Sequence, residues 1–460
     1  MNDWFEAERH VERAHEHYDA GRWDEAEREL RSAISFNPNQ AEWHFNLGLT
    51  LVAAGRWRDS IDAFEQAGIL NPDDSHGHLM AGINALRAGE ADRALPLLDE
   101  SLARDGDSTI ALAHKIGALS ALGRHDDAET TFYLGQQIDA DDPDLYAAMA
   151  ESLLDRGLFE RAVWCLREAA KLDPTMPRLQ ASLAAAYAGA GRHERARQLY
   201  LKELRLNPGD TDTLLSLGDL LANMGRLDEA SEKFRRVLEL VPDHVDAHFA
   251  LGELAESRSD AHDALRQYEI VLRLDHEYPE ARRRVAQLIL SGVRAEDLSV
   301  VHRLLRLELR DVAERPHAFS TEDLDQLGGL LLDSGLYREA ERLYTDLASR
   351  HPERAIFSHL LAVARFERGD RIGGIEAERV ALGLEPRFLP AIHNLALAYL
   401  EQGQWTRAWY WVRQGLAIDT DDHSLRRLRV RLRLVALTSG VRWLARRVGR
   451  RETSRRNRTG

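Results

Sequence analysis

Ala20-Gly21-Arg22-Trp23-Asp24-Glu25-Ala26 is a short pattern that this 460-residue chain repeats along most of its length. Its glycine returns every 34 residues, at Gly55, Gly89, Gly123, Gly157, Gly191 and Gly225, and again in a single register at Gly335, Gly369 and Gly403. An alanine recurs in the matching phase at Ala26, Ala94, Ala128, Ala162, Ala196, Ala230, Ala264, Ala340 and Ala408. A proline closes the period at Pro38, Pro72, Pro174, Pro208, Pro242, Pro352 and Pro386. An internal period of this length marks stacked structural repeats, each of which touches only its neighbours.

One period is enough to predict the unit. Residues Glu8 to Ala20 read as a helix that Gly21 ends, because glycine takes the left-handed conformation of a helix C-terminus at little cost. Asp24 stands at an expected N-cap, with Glu27 three residues on, as in a capping box. Ala26, Leu30, Ala33 and Ile34 then form one apolar stripe, and Pro38 stops the second helix. The unit is two antiparallel helices joined by a tight turn.

This unit resembles the tetratricopeptide repeat. The family's run of aromatic, Leu-Gly, bulky residue, Ala, aromatic, Ala and Pro is matched by Trp43, Leu47-Gly48, Leu51, Phe64, Ala67 and Pro72, with Ser60 in the first Ala slot. It is matched again by Leu217-Gly218, Leu221, Ala230, Phe234, Val237 and Pro242, and by Leu327-Gly328, Leu331, Ala340, Tyr344, Leu347 and Pro352. The resemblance implies an all-α, right-handed α-solenoid superhelix of about twelve helix-turn-helix units with a C-terminal capping helix. The expected divisions are a lead-in over 1–6, units one to eight over 7–278, a longer ninth unit over 279–320, units ten to twelve over 321–422, a basic helical cap over 423–450, and a disordered tail over 451–460.

Two departures stand out. The third and fourth units have Gly106 and Ala140 where the proline belongs, so looser junctions are expected there. The ninth unit lacks the glycine-acidic-alanine pattern, and its second helix is expected from about Glu296 to Glu314, ahead of Arg315-Pro316. It reads as a tolerated loop insertion, with a break in the superhelix or a ledge for a partner as alternatives.

Charge is unevenly spread. From His423 onward there are thirteen arginines and one acidic residue, Glu452, a net +12. The chain as a whole carries −15, so residues 1–422 carry −27. The one cysteine, Cys165, excludes an internal disulfide framework or a cysteine-built zinc site, and reads as a small buried hydrophobe. The first residues are acidic with no apolar signal region, and no run of about 20 apolar residues is present. A cytoplasmic setting is expected, with peripheral membrane contact through the basic end as an extension.

No phosphate-binding glycine loop, nucleophile elbow or zinc-protease motif occurs. Neither an enzyme nor a cofactor nor a metal is expected. His10, His44, His78 and His248 share one repeat slot and read as interface packing. Trp23, Trp57 and Trp405, with Phe159 and Tyr337, read as core, and the cluster Trp405, Trp409 and Trp411 reads as structural too.

Partners of tetratricopeptide proteins commonly lie along the inner face, formed by the first helix of each unit. Carried over, the resemblance gives Phe45, Asn46, Leu49 and Val52, then Leu79, Ile83 and Leu86, as solvated apolar positions suited to an amphipathic helix or extended peptide. The same slots become acidic at Glu151 and Asp155, at Asp219 with Asn223, and at Glu253 and Glu256. An ordinary solvated helix surface is the alternative for each. The family's carboxylate-gripping groove pairs Asn with Lys or Arg. Asn46 and Asn394 fill the Asn slot, but basic partners are missing beside Asn46, so no such clamp is expected. The reading is a non-enzymatic scaffold for protein or peptide partners, basic ones included.

The basic end offers a second role, as a peripheral membrane or nucleic-acid adaptor. Leu425, Leu428, Leu432 and Val435 have helical spacing, although Leu428-Arg-Val430-Arg-Leu432 alternates as a strand would. A helix is favoured, because the last repeat leaves an apolar face to cover. Arg442, Trp443, Arg446, Arg447 and Arg450 could meet anionic lipid, RNA or DNA phosphates, or the protein's own acidic body, or could simply solubilise the chain.

Overall fold

The computed structural model describes residues 2–293 and 298–435, side chains of Asn2 and Asp3 excepted. Among the described residues there are twenty-four α-helices in twelve hairpins, a 3-10 turn at Pro316–Ala318, a further helix over 423–435, and no strand. The hairpins fall into two compact units, Met1–Ala247 and His248–Gly460. Each unit is an α-solenoid stack in which successive helices such as Asn2–Asp19 with Trp23–Phe36, and Tyr337–Arg350 with Ala355–Glu367, pack on one another.

The turn is set by backbone chemistry. Gly21 has φ +69°, and the Arg22 N–H reaches back to the His17 carbonyl at 2.9 Å, satisfying a carbonyl the helix end would otherwise strand. All ten glycines of the register share the positive φ. In the eighth hairpin the slot holds Ser259, which takes φ +61° and makes the same closure, Asp260 N–H to Ala255 O at 2.8 Å. A side chain in that conformation is strained.

Several expectations change in detail. The first helix starts at Asn2, so the lead-in is part of it. The second starts at Trp23, with Arg22 at the N-cap and no side-chain cap bond. The closure at Gly21 leaves no spare residue before the helix, so Asp24 and Glu25 sit inside its first turn, where they complement the dipole. A capping box forms instead at Ser320 and Asp323. The junctions without proline close as the others do: Asp105 N–H to Ser101 O at 3.0 Å and Asp139 N–H to Gly135 O at 2.9 Å, against 3.0 Å for Asn71 N–H to Ala67 O.

The hairpin interior explains the Leu-Gly motif. A Cβ on Gly48 would lie 2.6 Å from the Phe64 ring. Phe64 is fully buried there, edge-on to Phe45 at 5.2 Å. Gly252 with Tyr268 and Gly328 with Tyr344 repeat the fit at 2.5 Å, and Gly218 repeats it with Phe234. Between hairpins two and three, a Cβ on Gly77 would be 2.5 Å from the Gly68 nitrogen, so these helices meet backbone to backbone. His78 is buried in this notch, where burial lowers its pKa. Cys165 is buried too, its thiol pushed up to about 11 by desolvation.

The residues after the turn are not core. Trp57 and Trp405 are exposed, while Trp23, Phe159 and Tyr337 are half-buried. They stand at the first helical position and lie over the turn: Trp23 meets Tyr18 edge-on at 5.1 Å, and Arg87 sits 5.3 Å over Trp57.

The ninth hairpin, Pro279–Leu290 and Leu298–Glu314, keeps the second unit continuous. Its turn glycine is Gly292, φ +88°. The long helix is held by a buried ionic network: Arg282 to Asp311, Arg283 to Glu308 at 3.1 Å, and Arg283 to Asp323 at 2.8 Å on hairpin ten. Burial of Glu308 outweighs both arginines and pushes its carboxyl up to about 7. The helix over 423–435 caps the array with Leu425, Leu428 and Leu432 in the last core cluster.

Ser259→Gly relieves the left-handed strain and stabilises the second unit by about 1 kcal/mol in urea unfolding; an unchanged or lower midpoint would contradict the strain. Glu308 binds its proton more tightly folded than unfolded. Its contribution is therefore full below its ordinary 4.5 and is lost as pH rises through about 7. Glu308→Gln flattens the fall in stability across that window, an effect on the order of 2 kcal/mol, read from urea midpoints at a series of pH values.

Candidate functional site

In the first unit the first helices form one face. Phe45, Leu49 and Val52 from Ala41–Ala53 and Leu79 and Leu86 from His76–Arg87 pack in one cluster against Ile61, Phe64, Ala81 and Ala85. They are half-buried rather than solvated, as are Ile83 and Asn46. Adjacent first helices lie side by side, so residues of the shared face shield one another. Asn46 Nδ2 approaches His15 Nε2 at 3.4 Å.

Beyond Leu86 the row opens into a cavity of about 430 Å³ lined by Leu86, Ile110, Ala113, His114, Gly117, Asp144, Ala148 and Glu151. All but Leu86 come from Thr109–Ala121 and Pro143–Asp155, whose helices pack on each other. A Cβ on Gly117 would meet nothing within 4 Å. Packing does not demand glycine there, and mid-helix glycine costs about 0.5–1 kcal/mol relative to alanine, so its effect is to deepen the hollow.

The electrostatics of the hollow follow from its shape. Burial, then Arg87, lowers the His114 pKa, while Asp144 pulls it up. Burial raises Asp144, helped by Asp142. Burial also raises Glu151, helped by Asp155, with no cation near enough to oppose it. Glu151 keeps solvent contact yet sits low among neighbouring atoms, so its charge is poorly hydrated. Asp155 accepts from the Ser120 hydroxyl at 3.0 Å. Farther along this unit Asp219 and Asn223 are exposed, and burial with Asp246 raises the Asp219 carboxyl.

The acidic wall does not extend into the second unit as expected. Arg284 reaches Glu253 at 3.7 Å and Glu256 at 3.3 Å, and the Tyr268 hydroxyl donates to Glu256 at 2.8 Å. This pair is already compensated. Asn394 is also committed: it donates to Glu378 at 2.8 Å, and the buried Glu378 meets the buried His359 Nδ1 at 3.0 Å. Arg442, Trp443, Arg446, Arg447 and Arg450 lie outside the described residues.

Sequence reasoning missed Ile110, Ala113, His114, Gly117, Asp144 and Ala148. The signal was available, since Gly117 stands one 34-residue period after Ile83 and one before Glu151. Among the described residues no group of three His, Cys, Asp or Glu is placed to hold a metal, and no helix is long and apolar enough to cross a membrane.

A family model described as Tetratricopeptide repeat matches residues 11–75, 147–211, 215–275 and 326–386, and a second of the same description matches 85–152. No curated protein matches the chain. Among solved structures, PilF of Pseudomonas aeruginosa is 19% identical over 46% of this chain and 97% of its own, with TM-score 0.39. The tetratricopeptide protein TTC0263 of Thermus thermophilus is 23% identical over 40% and 99%, with TM-score 0.37. Human IFIT1, solved as a dimer with PPP-AAAA, is 17% identical over 73% and 81%, with TM-score 0.46.

His114 is expected to titrate below its ordinary 6.5. Asp144→Asn removes a charge that favours the imidazolium and moves the midpoint lower still. Histidine-resolved NMR reads both, and a midpoint that rose in the variant would break the assigned pairing.

Proposed function

Because the chain belongs to the tetratricopeptide repeat family, we propose that the first-helix face of hairpins two to five is where it takes a partner. As a member of that family it is a non-enzymatic scaffold for protein or peptide partners. The partner segment is amphipathic with a basic end. Its apolar side chains lie on Phe45, Leu49, Val52 and Leu79, and its Lys or Arg enters the hollow at Asp144 and Glu151.

The observation that carries this reading is Leu86, which belongs both to the apolar cluster and to the lining of the acidic hollow. The two surfaces are one continuous strip. An incoming cation offsets the burial, and the lesser repulsion, that raise Asp144 and Glu151, and the −27 charge of residues 1–422 steers it in. A cytoplasmic setting suits such a scaffold. The arginine-rich end, 423–460, is the part suited to an anionic membrane surface.

The test uses a Leu/Lys amphipathic helical peptide of about 18 residues, five turns, and its Leu/Glu counterpart, with anisotropy as the readout. The Leu/Lys peptide binds and the counterpart does not. Asp144→Asn with Glu151→Gln weakens binding roughly tenfold, or 1.4 kcal/mol, and Leu49→Asp does the same. Two charges are a small part of −27, so general attraction to an acidic protein would leave the double variant close to wild type. That result would sink the proposal.

A further inference from the structure

The second helix of hairpin twelve, Trp405–Ile418, differs from the other eleven: it contains no Asp or Glu. Ala408, Val412 and Gly415 face the core. Trp405, Trp409 and Tyr410 face out, 42%, 39% and 54% exposed. The exposure of Trp405 and Trp409 corrects their structural reading, whereas Trp411 of the same cluster packs on the last core as expected. Outward rings elsewhere stand among carboxylates. Trp164 shares its helix with Glu160 and Glu168, and Tyr133 lies beside Glu129, which Arg161 pairs at 2.7 Å.

The next helix, over 423–435, is also free of carboxylates and carries five arginines. It is docked on the first through Leu425, whose methyls fill the space a Cβ on Gly415 would need. Arg413, Arg427, Arg431 and Arg433 are exposed and form no ion pair among the described residues. Val430 and Leu434 are exposed between them. The remaining 25 residues of sequence add eight arginines and one glutamate.

We propose that the outward face of Trp405–Ile418, with the arginines of 423–435, docks on an anionic lipid surface. Indole and phenol rings are apolar bodies with a polar tip and settle at the headgroup level. Guanidinium groups pair with lipid phosphates, and their stems lie along the interface. Charge complementarity selects the occupant: these are two carboxylate-free, arginine-bearing helices of an otherwise acidic chain, with Asp419, Asp421 and Asp422 confined to the connection between them. Exposed Val430 and Leu434 have a use in a lipid interface and none against a nucleic-acid backbone. The inference leans on the anionic-surface reading of 423–460 only for added charge; the aromatic face is a separate site.

Full-length protein is co-sedimented with phosphatidylcholine vesicles and with vesicles containing about 30% phosphatidylglycerol, an anionic surface that attracts basic segments. Binding to the anionic vesicles alone is expected. Trp405→Gln, Trp409→Gln and Tyr410→Gln together lower the affinity at least tenfold, roughly 1.4 kcal/mol, with the far-UV spectrum and the Leu/Lys peptide affinity unchanged. As a check that leaves the helix intact, Trp443→Phe protein still binds, and brominated lipids quench its fluorescence. No vesicle binding overturns the proposal. So does a triple variant that binds as wild type, since the basic segment alone would then suffice, or quenching that vanishes with Trp443. Capture of a single-stranded oligonucleotide in place of vesicles would replace lipid by nucleic acid.

Discussion

The array depends on a close approach inside each hairpin, where the first helix offers a small residue and the second fills the space it leaves. Gly48 under Phe64 is the clearest case, since a single Cβ would collide with a fully buried ring. The same spacing carries different volumes elsewhere. Ala14 shares a cluster with Leu30, and Ala396 shares one with Val412, so a larger first residue goes with a smaller second one. Total volume is held while the individual side chains vary. Such a hairpin has too little interior to be stable alone, and stacking supplies the rest.

This constraint is why the fold could be read from the sequence. The 34-residue glycine register and the Leu-Gly motif record where helices turn and where they touch, and both are local in sequence. What could not be read depended on how chain ends and neighbours share space. Asp24 has the right residue type for an N-cap, but the closure at Gly21 already assigns that place to Arg22. Trp57 looks like core by its bulk, yet it stands over the turn, where Arg87 lies over its ring and the side chain stays exposed. The missing prolines at Gly106 and Ala140 left the junctions unchanged, because a backbone hydrogen bond closes them with or without the ring.

The candidate site was half readable for the same reason. Register alone placed Phe45, Leu49, Leu79, Leu86 and Glu151 on one face. It could not show that Gly117 and Ala113 hollow that face beside His114, since depth arises only when two helices lie together. It also could not bring Arg284 to Glu253 and Glu256. Arg284 comes from the ninth hairpin, the one whose sequence departs from the pattern. Equal slots in sequence therefore became unequal sites: Glu151 is opposed by no cation, while Glu253, three periods on, is met by Arg284.

The ninth hairpin shows what replaces volume matching when the pattern is lost. No glycine-aromatic pair positions its long second helix. Arg282, Arg283, Glu308, Asp311 and Asp323 do so through directional contacts, in a place where charges are costly to bury. Glu308 keeps one oxygen without a partner, and Arg283 leaves Nε unsatisfied, so the network is not optimised for stability. Apolar packing would tolerate a slide of the helix along its axis, whereas separating Arg283 from either carboxylate would strand a buried charge. The network thus fixes register at a stability cost, the task that the small-residue notch performs in the regular hairpins.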